Sequence, residues 1–405
     1  MPKMKQTKSQ PKTLGLWLID RVNTKDYRAG KLTGKKHPKR QDIMEALGST
    51  VGRERILNQI TELEKLGIIE VVWTNVKTDF KEIIFPIENM DALCGHEGVE
   101  NPKRQLEQLR QSVLSNIDQT NISWVKEYYK ELLDQIEKGN IPENAKDENI
   151  FKILNALAVL EHDVWKRKFS SDVLENSKQF EEKYEKRMIT VLRDHSPKAV
   201  DEMEDYEVLA EHHILNYSQT LEWKGAITYR IRNGNNSSEE TMVDTTGMFY
   251  GTMLNAQTLG NAEPTSLKSV KKIITIENKA NYESMIYDPE ALYIYVHGFL
   301  SPKERAFLTK LEKIADESME YYHWSDLDYG GIRIFQFMKK NVFSKVKPLY
   351  MDRKTYEAAL QKGAGIPVTV EKLTKIKEID AGELEELKQC ILQYGKEIEQ
   401  ENLLE

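Results

Sequence analysis

Apolar residues near the N-terminus follow a helical period and then switch to a strand-like one. Residues 41–47 read as a short helix ended by Gly48, with Ser49 or Thr50 placed to cap the next. In residues 53–66, Ile56, Ile60 and Leu63 recur at spacings of four and three, which puts them on one helix face. Gly67 suits the position just after that helix. Residues 68–73 and 82–87 are rich in β-formers, and polar residues 75–81 join them. Helix, turn, helix and hairpin in this order predict a winged-helix-like unit. Arg53, Arg55 and Asn58 lie on the side of the second helix away from the apolar stripe.

Residues 100–200 are polar and predict helices. Residues 124–136, 150–165 and 180–192 carry apolar positions three and four apart or mixed charges, as in a helical hairpin or arm. Between 205 and 262 the pattern shortens. Residues 206–215 read as a helix, 221–231 and 241–245 as strands, and 233–238 as a loop. From 266 onward strands and helices alternate. Strands are expected at 273–276, 292–296, 319–324 and 346–350, with helices at 302–314 and 331–340 and an acidic helix over 382–405. This alternation predicts an α/β domain with a parallel-type sheet flanked by helices. Four regions result: a basic winged-helix-like part over 1–98, a helical arm over 99–204, a small α/β cap or linker over 205–265, and the α/β domain over 266–405.

With 40% hydrophobic residues, the chain can build several cores, which rules out a wholly disordered or collagen-like protein. Its longest apolar stretches, such as 291–296, fall far below the roughly 18 residues a membrane span needs. The start of the chain is basic and polar, and the apolar run 14–19 is too short for a secretory signal, so a cytoplasmic protein with no membrane partner is expected. Cys94 and Cys390 lie too far apart for a thiolate metal cluster and read as buried, reduced thiols. His162, His195, His212 and His213 read as solvated or hydrogen-bonded, since an adjacent His pair does not present both rings on one helix face.

The net charge of -7 conceals an asymmetry. Residues 1–55 hold 14 Lys+Arg against 5 Asp+Glu, a balance of +9, which leaves -16 for the rest. The basic end, including Lys39, Arg40, Arg53 and Arg55, is where a phosphate backbone fits. The acidic remainder suggests weak DNA affinity alone and a role for a loading partner.

Part of that acidity is placed where chemistry is built. Glu277 directly follows the strand at 273–276, and Asp326 and Asp328 follow the strand ending at Trp324. In open α/β sheets the site lies beyond the carboxyl ends of the strands. In an extended turn the alternate side chains of Asp326 and Asp328 point the same way, toward one cation. Oxygen donors without Cys or His suit Mg²⁺ or Mn²⁺ rather than Zn²⁺. The competing reading is that Asp328 merely caps the helix that follows.

Residues 276–278 with 325–331 resemble a Toprim domain, the metal-binding module of topoisomerases and related nucleases. Adding residues 297–299, 322–331, 351–352 and 399–401, the stretch 266–405 resembles the C-terminal domain of the JetD family, the nuclease component of the Wadjet anti-plasmid system. Ser325 departs from the Gly expected before the acidic pair and leaves the carboxylates intact. The resemblance implies a homodimeric, Mg²⁺- or Mn²⁺-dependent endonuclease for double-stranded plasmid DNA. It also implies an SMC-type motor complex (SMC, kleisin and accessory subunits) as partner. Glu277, Asp326 and Asp328 become the catalytic and metal-binding residues; Glu399 and Glu401 lie on the last helix, where one of them, Glu401 first, could add a ligand against the competing reading of a solvated acidic face. Lys279, Arg333 and His297 are candidate DNA contacts, although surface pairing or a structural role competes for each. Two other readings remain: a topoisomerase VI A-like subunit that attacks DNA with a tyrosine, and a non-catalytic DNA-binding adaptor.

Overall fold

The structure is a computed structural model, and it describes residues 13–74, 78–216, 219–233 and 236–403. The basic start of the chain, positions 75–77 of the expected hairpin connection and positions 234–235 of the expected loop lie outside the described residues. The chain divides into two compact units, Met1–Val159 and Leu160–Glu405.

In the first unit, helices Arg40–Leu47 and Arg53–Lys65 form where the periodicity places them, and Ile56, Ile60 and Leu63 are buried. Strands Lys35–Lys36, Glu70–Trp73 and Phe80–Pro86 make an antiparallel sheet with Phe80–Pro86 in the middle. The first strand of this sheet comes from the basic stretch before the helices, which the hairpin pattern alone does not reveal. Leu14, Trp17 and Leu18 of helix Leu14–Val22 share the core with Phe80, Phe85 and Leu93. Helices Pro102–Gln119, Ser123–Glu137 and Glu148–Ala158 complete the unit, and Asn155 ties them by accepting from Tyr129 and donating to Asn116. The helix expected over 150–165 stops at Ala158, and Val164–Trp165 is instead a short strand paired with Ile214–Leu215.

The second unit is built on a six-stranded sheet. Its strands in chain order are β1 (Thr220–Lys224), β2 (Thr252–Asn255), β3 (Lys272–Ile276), β4 (Ala291–Tyr295), β5 (Glu320–Trp324) and β6 (Lys347–Pro348), arranged 6-5-3-4-1-2. Strands β4, β3, β5 and β6 run parallel, whereas β1 and β2 add antiparallel to the β4 side, so the sheet is mixed rather than wholly parallel. Two strands of the 205–265 stretch thus complete the sheet of the 266–405 stretch. The strand expected over 221–231 is two strands broken at Gly225, whose φ of +136° and close approach to the Ala291 carbonyl exclude a side chain. The second of these, Thr228–Asn233, pairs with Asn236–Asp244 and Ala262–Ser266 in a separate antiparallel sheet. Strand residues therefore extend into the expected 233–238 loop. The helix expected over 206–215 is shorter, Asp205–Glu211.

Helices α1 (Lys279–Ser284), α2 (Pro302–Ile314), α3 (Tyr329–Asn341), α4 (Arg353–Gln361), α5 (Val370–Glu378) and α6 (Glu385–Tyr394) connect and follow these strands. Residues 273–276 and 291–294 are buried without alternation, as in a sheet covered on both faces. Trp223 of β1 stacks on Phe307 of α2 at 5.9 Å. Pro302 and a Ser301–Glu304 capping box start α2. The single C-terminal helix expected over 382–405 ends at Gly395, which sits in the left-handed region at φ +64°. Beyond it Lys396–Glu397 pairs with Ile366–Pro367, and Gln400–Leu403 forms a 3₁₀ turn. No helix among the described residues is long and apolar enough to cross a membrane.

Candidate metal centre

Glu277 and Asp326 meet because two neighbouring parallel strands end together. Ile276 of β3 pairs with Trp324 of β5, and the Glu277 N–H donates to the Trp324 carbonyl at 3.0 Å. Asn278 then caps α1 by accepting from the N–H groups of Ala280 and Asn281, so the chain turns away and leaves Glu277 at the strand's carboxyl end. Opposite it, the Asp326 N–H donates to Glu277 Oε2 at 3.3 Å. Gly331 packs where an added Cβ would stand 2.0 Å from the Asp326 carbonyl, so only glycine lets α3 start this close behind the acidic loop.

The chain's C-terminal segment folds over this loop. Leu327 is fully buried, and its backbone exchanges hydrogen bonds with Ile398 at 2.9 and 3.3 Å. Two residues further on, the Gln400 N–H donates to Asp326 Oδ1 at 2.6 Å. The Gln400 side chain is fully buried; it accepts from the Asn278 N–H at 3.0 Å and donates to the Trp324 carbonyl at 3.3 Å. With Gln400 pinned inward, Glu399 and Glu401 flank it in exposed positions. Ligand oxygens of Asp326, Glu399 and Glu401 lie within 4.8 Å of one another.

Asp328 takes a different part. Its Oδ1 accepts the Gly331 N–H at 2.7 Å and caps α3, which is the structural role that competed with metal binding in the sequence. Its Oδ2 stands 3.9 Å from Lys372 Nζ, and Lys372 also contacts Glu397 at 3.0 Å. Asp328 is not one of the three residues whose ligand atoms converge, although its charge reaches Glu277.

The electrostatics follow from this crowding. Burial, with the charges of Asp326 and Asp328, pushes the Glu277 carboxyl up to about 8. Burial also raises Asp326; the Gln400 N–H opposes the rise, and Asp328, Glu399 and Glu401 add to it. The donors in this cluster are all oxygen. That set fits a hard divalent ion such as Mg²⁺ or Mn²⁺ at Asp326, Glu399 and Glu401.

The other sequence candidates are engaged elsewhere. Lys279 pairs with Glu222 and Glu283 and lies over the rings of Tyr282 and Tyr295. Arg333 pairs with Glu202 at 3.2 Å. His297 Nε2 lies 3.1 Å from the buried Glu304 carboxylate; burial alone would lower its pKa, but Glu304 and Glu207 bring it above the ordinary value. Asp352 caps α4 by accepting from the Thr355 N–H. In the first unit Arg40 and Arg53 share Asp79 at 2.9 and 3.1 Å, Lys39 pairs with Glu82, and Arg55 is exposed.

Sequence reasoning offered Glu399 or Glu401 as a further ligand but gave Gln400 no role of its own, because 382–405 read as one helix. Gly395 was the available signal, since a glycine there ends a helix and returns the chain toward the sheet.

Two comparisons bear on this centre. The family model described as Wadjet protein JetD, C-terminal, matches residues 242–405. The Wadjet protein JetD of Bacillus cereus (strain Q1) is 27% identical over 360 residues, which cover 86% of this chain and 85% of that protein.

Proposed function

From its similarity to the JetD family, we propose that the chain is the DNA-cleaving subunit of a Wadjet-type defence system, a divalent-metal-dependent endonuclease acting on closed circular plasmid DNA. In this reading residues 266–405 form a Toprim nuclease domain completed by strands from 205–265. Residues 1–98 form a winged-helix DNA contact, and 99–204 a connecting arm. The chain acts as a homodimer with an SMC-type motor complex of SMC, kleisin and accessory subunits.

The observation that carries the reading is the convergence of Asp326, Glu399 and Glu401 beside a half-buried Glu277, with Glu277 and Asp326 beyond the carboxyl ends of adjacent parallel strands. Asp326, Glu399 and Glu401 would hold Mg²⁺ or Mn²⁺, which would supply positive charge against the negative charge that builds during phosphodiester cleavage. Glu277 lies within hydrogen-bonding reach of that acidic loop, placed where its carboxylate form would take the proton of an attacking water. The water oxygen bonds to phosphorus as the P–O3′ bond breaks, and the leaving 3′ oxygen takes a proton from solvent. Asp328 holds the start of α3 and so fixes the acidic loop. Gln400 keeps Asp326 aimed outward from the sheet.

The test is cleavage of supercoiled plasmid in Mn²⁺, with the neighbouring operon products present, by wild type and by variants at Glu277, Asp326 and Glu401. A protein–DNA adduct trapped in the same reaction would instead favour attack by a tyrosine.

A further inference from the structure

Nucleases of this general kind can neutralise their substrate with one divalent ion or with two. The acidic residues here fall into two sets. Asp326, Glu399 and Glu401 have ligand oxygens within 4.8 Å of one another. Asp328 and Glu397 adjoin this set, and both pair with Lys372, whose charge also reaches Glu399.

Lys372 is placed there by several independent features. Thr369 caps α5 by accepting the Lys372 N–H. Ile376, one turn further along α5, is fully buried. Glu397 is held by the pairing of Lys396–Glu397 with Ile366–Pro367, just before α5. Lys372 Nζ donates to both Glu397 oxygens, at 3.1 and 3.0 Å. Asp328 is fixed from its far side, because Oδ1 is committed to Gly331 and Oδ2 is left facing the ammonium.

An ordinary surface ion pair joins two mobile, solvated side chains. This one does not fit that description. Asp328 and Glu397 keep only 21% and 16% of their side-chain surface exposed, and Lys372 keeps 43%. Two largely buried carboxylates therefore depend on one ammonium for compensation. The same two carboxylates without the lysine would be a small oxygen-donor pair beside the first set, as a second divalent ion requires.

We propose that Lys372 is the built-in second cation of this centre, so that the protein takes a single divalent ion at Asp326, Glu399 and Glu401 while the ammonium fills the position between Asp328 and Glu397. This rests on the nuclease reading above and refines it to one metal ion per chain. An ammonium supplies fixed positive charge with no open coordination position. It can neutralise, but it cannot bind water as a metal does, so activation of water falls to the Glu277 side of the site.

The experiment counts bound Mn²⁺ by calorimetric titration of the full chain with Mn²⁺ alone, checked by electron paramagnetic resonance of the free ion. Wild type, Lys372→Met and Lys372→Gln are compared, each confirmed as folded by its thermal melt, together with Glu399→Ala in each background. Wild type is expected to bind one Mn²⁺. The Lys372 variants should gain a second ion, weaker by about tenfold or more, and Glu399→Ala should weaken the first ion in every background. Two ions in the wild type, or one ion in both Lys372 variants, overturns the role of Lys372 and leaves the nuclease reading standing. No bound ion in any form overturns the metal reading itself.

Discussion

The Gln400 N–H donates to Asp326 Oδ1 at 2.6 Å across 74 positions of sequence, so a residue near the end of the chain fixes a carboxylate at the centre of the acidic loop. The same residue joins Asn278 and Trp324, and its carbonyl accepts from Asn281 at 3.0 Å. One buried residue therefore links β3, β5 and α1 where Glu277 and Asp326 meet, through its backbone N–H, its backbone carbonyl and its side-chain amide.

Replacing it tests that link. Gln400→Ala leaves the Asn278 N–H without its side-chain acceptor and opens a gap behind Asp326. The expected cost is about 1–3 kcal/mol in stability and a loss of roughly tenfold to a hundredfold in Mn²⁺ affinity. Denaturant unfolding and Mn²⁺ titration read the two effects separately. Unchanged Mn²⁺ affinity in a folded variant would remove Gln400 from the account.

The raised Glu277 pKa predicts a pH dependence with a definite sign. Its folded value, about 8, lies above its ordinary value of 4.5, so the fold favours the protonated form. Its contribution is therefore full below about 4.5 and is lost as pH rises through about 8. Glu277→Gln mimics the protonated state and should not lose that contribution. In metal-free buffer the variant should melt higher than wild type at pH 8, by about 2–4 °C for each kcal/mol recovered, and near the wild-type value at pH 4.5. Parallel pH profiles for the two proteins would mean that Glu277 ionises freely.

Much of the architecture was legible in the sequence, and the reasons differ by region. Residues 273–276 and 292–296 are short continuous apolar runs bounded by polar turns, which is how strands covered on both faces read. Glu277 follows directly from such a run and Asp326 comes two residues after the strand ending at Trp324, so their meeting was foreseeable from strand order. The antiparallel addition of β1 and β2 was not, because local periodicity carries no information about which edge a strand joins. The convergence of Glu399 on Asp326 and the role of Gln400 escaped for another reason. Their roles depend on the Leu327–Ile398 bridge, a contact between distant segments that leaves no local pattern. Asp328 shows the limit of spacing arguments, since an Asp-x-Asp pair can present one carboxylate to the site and commit part of the other to a helix cap.

The first unit makes a separate prediction about DNA. Arg53 and Arg55 lie on the exposed side of helix Arg53–Lys65, and Arg53 shares Asp79 with Arg40. If these arginines contact phosphates, changing both to Ala should weaken DNA binding about equally across sequences and reduce the salt slope by about two. Asp79→Ala should strengthen binding, because it frees Arg40 and Arg53 from a competing carboxylate. Fluorescence anisotropy over a range of salt checks both. Indifference to both changes would assign this helix to protein contacts.

The most direct measurement is linearisation of closed circular plasmid in Mn²⁺ by the protein with its operon partners, comparing wild type with Glu277→Ala, Asp326→Ala and Glu401→Ala. The account predicts cutting by the wild type, a loss of at least about a thousandfold in the Glu277 and Asp326 variants, and DNA binding retained in all of them. Cutting at the wild-type rate by folded Glu277→Ala and Asp326→Ala proteins would contradict it and place the chemistry outside this centre.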